Sequence, residues 1–403
     1  MLSQVRNISV RPVKPGLNCP YRSSFGSLPN PGPQANESNS SIRALLELET
    51  ETDSILSNDP NLQNLSHHLS NLKHLVDNFK KSRGGLSLRS FLNRRASTHE
   101  ISKIAGEIES EIQAWIDRES IENLLRVLQE SNNDDEKTHQ LALFEKRVSQ
   151  GFNRDLQDLV LKSKVFNQLE LILCNFDFSK KLREQAALAI SALIKFNKDV
   201  FVGQVLMGQT IKALISFSSC SSIKVLCSLI KSIKSPLVDE IESNGDIRKV
   251  INLLDSYDLQ IRVLAFDCVL EIGYFGRKEA VEAMLKEGLI EKLVEMQRSN
   301  LGGDLIETGR AYVVEEGQQE DIIRVGGVDR ETKRESRERR FLERHPFASC
   351  VARFAVQLEV GEGLRQREKR AFKQEILVRV REASVTDAEA ATILAEVLWG
   401  ASP

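Results

Sequence analysis

The chain has no CxxC pair, no apolar run of membrane-spanning length, few aromatic residues and little proline. Its six cysteines (19, 174, 220, 227, 268 and 350) are scattered, with no histidine pair at zinc spacing. They therefore read as small buried residues rather than as metal ligands or a redox couple. Without an apolar stretch of about 18 residues, no transmembrane helix is expected. Aromatics make up 6% of the chain, and several of the 10 prolines fall in the first 33 residues. That composition favours helices over a β-sandwich. Net charge is −2, from 55 basic and 57 acidic side chains. No global field draws the chain to nucleic acid or to an anionic membrane.

Signatures of catalysis are also missing. The sequence has no GxxxxGK[ST], no GxGxxG after a strand, no GxSxG and no HExxH. His67 and His74 could share a helical face, but no third ligand is near. Glu315 and Glu316 lie in a segment that nothing positions for proton transfer. The expectation is a chain without enzymatic activity, cofactor or metal.

Helical periodicity dominates what is present. Residues 1–40 are rich in Ser, Asn, Pro and Gly and carry no acid before Glu37. They read as a disordered tail; the alternative is a transit peptide, which would direct the chain to a plastid. Residues 41–150 read as long helices forming a bundle. One is stopped at Asn58-Asp59-Pro60. The next carries Leu62, Leu65, Leu69, Leu72, Leu75, Val76 and Phe79 at steps of three and four and ends at Gly84-Gly85. A third, expected to start at the capping-box spacing Ser97-x-x-Glu100, has the stripe Ile101, Ile104, Ile108, Ile112, Trp115 and Ile116. A shorter helix carries Leu141, Phe144 and Val148. Such stripes need partners, in a bundle or in a coiled-coil dimer.

From 151 a period near forty residues begins. MGQTIKALISFS, SNGDIRKVINLL and KEGLIEKLVEMQ place Gly208, Gly245 and Gly288 at intervals of 37 and 43. Between them recurs a second phrase with a basic residue near its start (Arg183, Lys224, Arg262) and a small residue three later (Ala186, Cys227, Ala265). Small residues let helices approach closely, and each unit buries its apolar face only by stacking on the next.

The alternation of GxIxxLIxL with RxxAAxAIxxL resembles armadillo repeats. In that family a short first helix ends near Gly, a second carries the aliphatic phrase and a third the alanine-rich one. The resemblance implies an all-α fold: an N-terminal helical bundle followed by a right-handed α-solenoid. Its repeats would span 151–299, with 165–176 as a second helix and 181–196 as its third. The fourth unit lacks an immediate third helix. Residues 300–345 read as a charged loop, and PFASCVARFAVQLEV (346–360) is expected to complete the unit beyond it. The helices of 346–403 would complete and cap the solenoid with a polar outer face. IQAWIDRES (112–120) ahead of the repeats resembles the bundle of plant U-box and armadillo-only proteins. The U-box itself is missing: only Asn18-Cys19-Pro20-Tyr21 matches any part of it.

Two charged features stand out. The basic stretch 364–381 encloses the stripe Phe372, Ile376, Leu377 and Val380, so its charges read as a solvated face rather than a nucleic-acid site. Arg94-Arg95-Ala96-Ser97 resembles a basophilic kinase site, which makes Ser97 a phosphorylation candidate as well as a helix cap. Armadillo import receptors hold basic peptides with a Trp and an Asn four residues later. Here Leu188 and Ala192, then Asp267 and Glu271, stand at those positions. The expectation is a scaffold in the cytoplasm or nucleus that binds an unidentified protein. The alternatives are a ubiquitin-pathway component without its own U-box and a membrane- or vesicle-associated regulator.

Overall fold

The computed structural model describes residues 63–81, 88–302 and 344–399, with side chains of the first two helices described at 65–75 and from 99 onward. The N-terminal tail, the stop at Asn58-Asp59-Pro60, Gly84-Gly85 and most of the 300–345 loop lie outside the described residues. All described regular structure is helical. The chain divides into two compact units, residues 1–113 and 114–403.

In the first unit, α1 (Gln63–Lys81) buries Leu65, Leu69 and Leu72, as its stripe predicts. Helix α2 (Leu88–Glu130) buries Ile101 and Ile108, and its Glu107 lies 3.4 Å from His68. A helix start at Ser97 is not what forms. The helix already runs from Leu88, so Ser97 is an interior residue and not a cap. Good helix formers around it let the helix extend through a local capping signal.

The bundle boundary expected at 150 also moves. Residues 114–150 belong to the same unit as the repeats. Ile121, Leu124 and Leu128 of α2 and Leu141, Phe144 and Val148 of α3 (Asp134–Val148) join one continuous core with them. Asp117, 4% exposed, holds the two helices together through both oxygens on Arg147 at 2.7 Å. Its neighbour Ile116, assigned to the stripe by periodicity, faces outward.

Three-helix units then follow. In the first are α4 (Arg154–Lys162), α5 (Val165–Cys174) and α6 (Lys180–Phe196). The second has α7 (Lys198–Met207), α8 (Thr210–Phe217) and α9 (Cys220–Ile233). The third has α10 (Ser235–Ser243), α11 (Ile247–Asn252) with a 3₁₀ turn at Leu253–Asp255, and α12 (Leu259–Phe275). The fourth has α13 (Lys278–Lys286), α14 (Leu289–Arg298) and, beyond the long insert, α15 (Cys350–Val360). α16 (Gln366–Ala383) and α17 (Asp387–Trp399) close the array.

The third helices stack in a ladder, α3 on α6, α9, α12, α15 and α17 in turn. Ala186, Ala265 and Ala352 are fully buried at its contacts, where a larger side chain would push helices apart. The period reappears in the hydrogen bonds between units. Asn197 donates to Gln157 and Ser235 to the Phe275 carbonyl, each 40 residues apart; Ser191 meets Ser228 37 residues on.

The recurring glycines serve one junction in two ways. Gly245 (φ 70°) and Gly288 (φ 75°) adopt the left-handed conformation between first and second helices. Gly208 does not, with φ −91°. Its hydrogen leaves room for the Glu170 carboxylate, which a Cβ would strike. That carboxylate accepts from Gln209 N, Thr210 N and Thr210 Oγ1 at 2.7–2.9 Å, capping α8 from the preceding unit.

The insert does not break the stack. The Phe347 amide donates to the Leu301 carbonyl at 3.3 Å, so both ends of the insert meet at one backbone bond. Cys350 Sγ donates to the Leu293 carbonyl at 3.0 Å, and Val351 N to Gln297 Oε1 at 3.4 Å. Phe347, Val351, Phe354 and Leu358 are buried against α12 and α14. Burial pushes the Cys350 thiol up to about 12.

At the array's end α16 behaves as expected and α17 adds buried polar contacts. Both α17 glutamates that reach the stack point inward: Glu389 to Arg298 at 2.8 Å, and Glu396 to Gln297 at 2.8 Å and Ser349 at 3.0 Å. Arg367, Arg370, Gln374, Arg381 and Glu382 of α16 form the expected polar outer face, with Val385, Leu398 and Trp399 exposed in addition.

Replacing 303–343 by a flexible linker of about eight residues shortens the loop roughly fivefold. It should preserve the fold and raise stability by about 1.5 kcal/mol in urea unfolding, through lower closure entropy. Loss of the cooperative transition would mean that the insert holds α15 in place.

Candidate protein-interaction surface

Neighbouring third helices cover two sides of each third helix, and second helices cover its back. One face remains open. Helices α9 and α12 run parallel. Cys220 near the start of α9 contacts Gln260 near the start of α12 at 3.9 Å, and Lys231 near the end of α9 pairs with Glu271 near the end of α12 at 3.1 Å. The starts of α9 and α12 therefore lie on the same edge, whereas the end of α17 meets the start of α15 through Glu396 and Ser349.

That face carries apolar side chains where a monomeric surface would usually place polar ones. Leu143 is 49% exposed on α3, Leu188 39% on α6, and Val356 and Val360 37% and 58% on α15. Between them the face is polar. Ser228 sits on α9, and Asp267 on α12 is half-buried, with burial raising its carboxyl above the ordinary range despite nearby Arg353 and Lys231. Glu271 raises its partner Lys231 chiefly through their hydrogen bond.

Of the positions matched to the import-receptor ladder, Leu188 faces outward, Ala192 is buried and Glu271 is ion-paired. Trp115 lies on α2, and Trp399 ends α17. None of this builds the Trp–Asn clamp. Ser97 is remote from the ladder in sequence and lies inside a helix, so a phosphate there would not meet the free N–H groups of a helix start.

The sequence pattern marks the basic residue of three third helices (Arg183, Lys224 and Arg262) but not Lys137 or Arg353, and it does not show the rings beneath them. Lys137 lies over the Phe178 ring at 5.0 Å, Arg183 over Phe176 at 4.6 Å and Phe217 at 4.0 Å, and Arg262 over Phe347 at 4.9 Å. Arg353 lies over Phe266 at 4.7 Å. Phe178, Phe217 and Phe347 each stand two or three residues before the next unit's third helix. That spacing, aligned across the repeats, was the available signal. Burial lowers the pKa of both Arg183 and Arg353; Cys174 beside the first, and Cys350 and Asp267 beside the second, offset it only in part.

Other sequence readings meet the structure as follows. Cys227, Cys268 and Cys350 are buried; Cys174 and Cys220 are partly so. Phe372, Ile376, Leu377 and Val380 form the buried stripe of α16, and its Arg379 and Lys373 pair with Glu375 and Glu359. Among the described residues no group of three His, Cys, Asp or Glu side chains is placed to hold a metal, and no single helix is long and apolar enough to cross a membrane.

Three helices per unit, with alanine-rich third helices stacked in a ladder, are the armadillo-like plan. The fold is an armadillo-like solenoid. No protein-family model and no curated protein matches the chain. Among solved structures it is similar to a designed armadillo repeat protein, at 12% identity and TM-score 0.41, covering 70% of this chain and 99% of that one. Another designed armadillo repeat protein, in complex with the peptide (KR)4, matches at 12% identity and TM-score 0.40, over 70% and 98% of the two chains. An engineered protein matches at 16% identity and TM-score 0.43, over 70% and 99%. The architecture stated here rests on the stacking of the chain's own helices.

Arg183→Ala removes two ring contacts and the donor that Nε offers to the Leu173 carbonyl at 3.1 Å. It should cost about 2 kcal/mol in denaturant unfolding. Exposed Lys224→Ala should change stability by less than about 0.5 kcal/mol.

Proposed function

We propose that the chain is a non-catalytic scaffold that binds a protein partner on the open face of its third-helix ladder. One observation carries this reading. Leu143, Leu188, Val356 and Val360 expose apolar surface on third helices whose other apolar side chains are almost all buried. Exposed apolar positions spread along a rigid ladder suit an elongated partner that is covered piece by piece. Away from the ladder, Leu171 on second helix α5 and Met207 at the end of first helix α7 are also exposed, beside a cavity of about 380 Å³ lined by Phe166, Glu170 and Gln204. It offers a built-in control.

Affinity capture with the full chain should retain a partner that Leu188→Arg loses at least tenfold and Leu171→Arg does not. The reverse pattern would place binding on the second-helix side and overturn the reading.

A further inference from the structure

Helix α17 ends the stack, packed on α15 and α16. The side that faces them holds Ile393 and Val397, with Glu389 and Glu396 bonded to the array. Those two glutamates and Asp387 are its only charged residues. A helix turns about 100° per residue, so the opposite side carries Ala388, Ala391, Ala395 and Leu398, with Leu394 and Trp399 at its margins. Ala388 and Ala391 are exposed, Leu398 is 48% exposed and Trp399 82%. After Asp387 this side carries no charge to the end of the helix. The neighbouring α16, by contrast, exposes Arg367, Arg370, Arg381 and Glu382. An apolar side of this kind marks a contact surface.

The order of the side chains says what covers it. Small residues fill the first half of the face, and large ones the second. Two copies of α17 laid antiparallel about a two-fold axis level with Ile393 match small to large. Leu398 then rests on the second copy's Ala388, and Ala391 meets the second copy's Ala395, which lets the two backbones approach closely at the crossing. Trp399 arrives at the start of the second copy's α17. There a hollow of about 330 Å³ is lined by Arg381, Val385, Ala390, Ala391 and Leu394. The indole fits this chemistry, with aliphatic side chains around it and a guanidinium for its ring face. A parallel pairing would set Leu398 on Leu398 and leave the hollow empty. A two-fold contact needs a patch that complements itself, and this one does. Antiparallel packing also continues the interface already present, since the end of α17 meets the start of α15 where Ser349 donates to Glu396 at 3.0 Å.

We propose that α17 is the contact of a symmetric homodimer, in which Trp399 of each copy sits in the hollow of the other. The inference goes beyond the scaffold reading and does not depend on it. The helix is about 20 Å long. One helix face is smaller than the standard interface of about 800 Å² per partner, so the dimer is reversible, with a dissociation constant on the order of 10 µM.

Sedimentation equilibrium of the full chain from about 1 to 100 µM tests this and should show a monomer–dimer equilibrium. Trp399→Ala should raise the dissociation constant at least tenfold, as for an aromatic anchor. Ala391→Arg should leave only monomer, while Leu188→Arg and Leu171→Arg should change nothing. Trp399 and Ala391 are exposed in the single chain, so both substitutions should leave its thermal midpoint at low concentration unchanged. In a Trp115→Phe chain Trp399 is the remaining tryptophan, and its emission should shift to the blue as dimer forms. A monomer throughout the range, growth beyond a dimer, a dimer that survives both substitutions, or a dimer in which Trp399 emits as an exposed indole would each overturn the proposal.

Discussion

Close contact between successive third helices is the constraint on which the rest depends. A single unit presents apolar residues on more sides than its own three helices cover. Ala186, Cys227, Ala265 and Ala352 keep the contact surfaces low, so that Ile190, Leu226, Val269 and Phe354 can fill the space between units. Each interface leaves an apolar side for the next, and stability becomes a sum of neighbour terms. The array must therefore be continuous. That is why the chain returns after a long insert to place Phe347 and Phe354 against α12.

Much of this was legible because it is periodic. The recurrence of Gly208, Gly245 and Gly288 and of the alanine-rich phrase marks units of about forty residues, and the small-residue pattern of 346–360 identifies a displaced third helix. What escaped was non-local or competing. Ser97 has a capping-box spacing, but the residues before it continue the helix. Ile116 fits a stripe that the Asp117–Arg147 pair rotates out of place, because a buried carboxylate must face its cation. Glu170 gave no local hint that it caps a helix one unit away. The boundary at 150 failed for a similar reason. The forty-residue period begins at 151, but Ile121, Leu124, Leu128, Leu141, Phe144 and Val148 pack into the same core as the repeats.

The candidate surface was less legible than the fold. Arg183, Lys224 and Arg262 were visible, but their meaning depends on which rings lie beneath them. Only the stacking shows that Arg183 is clamped between Phe176 and Phe217 and that Arg353 lies over Phe266.

Continuity of the ladder across the insert can be measured by cutting it. A specific protease site placed within 303–343 allows the folded chain to be cleaved there. The two fragments should co-elute as one species in gel filtration, with helical content unchanged, because Phe347, Cys350 and Phe354 remain buried against α12 and α14. Separation or aggregation of the C-terminal fragment would contradict a ladder that runs through α15.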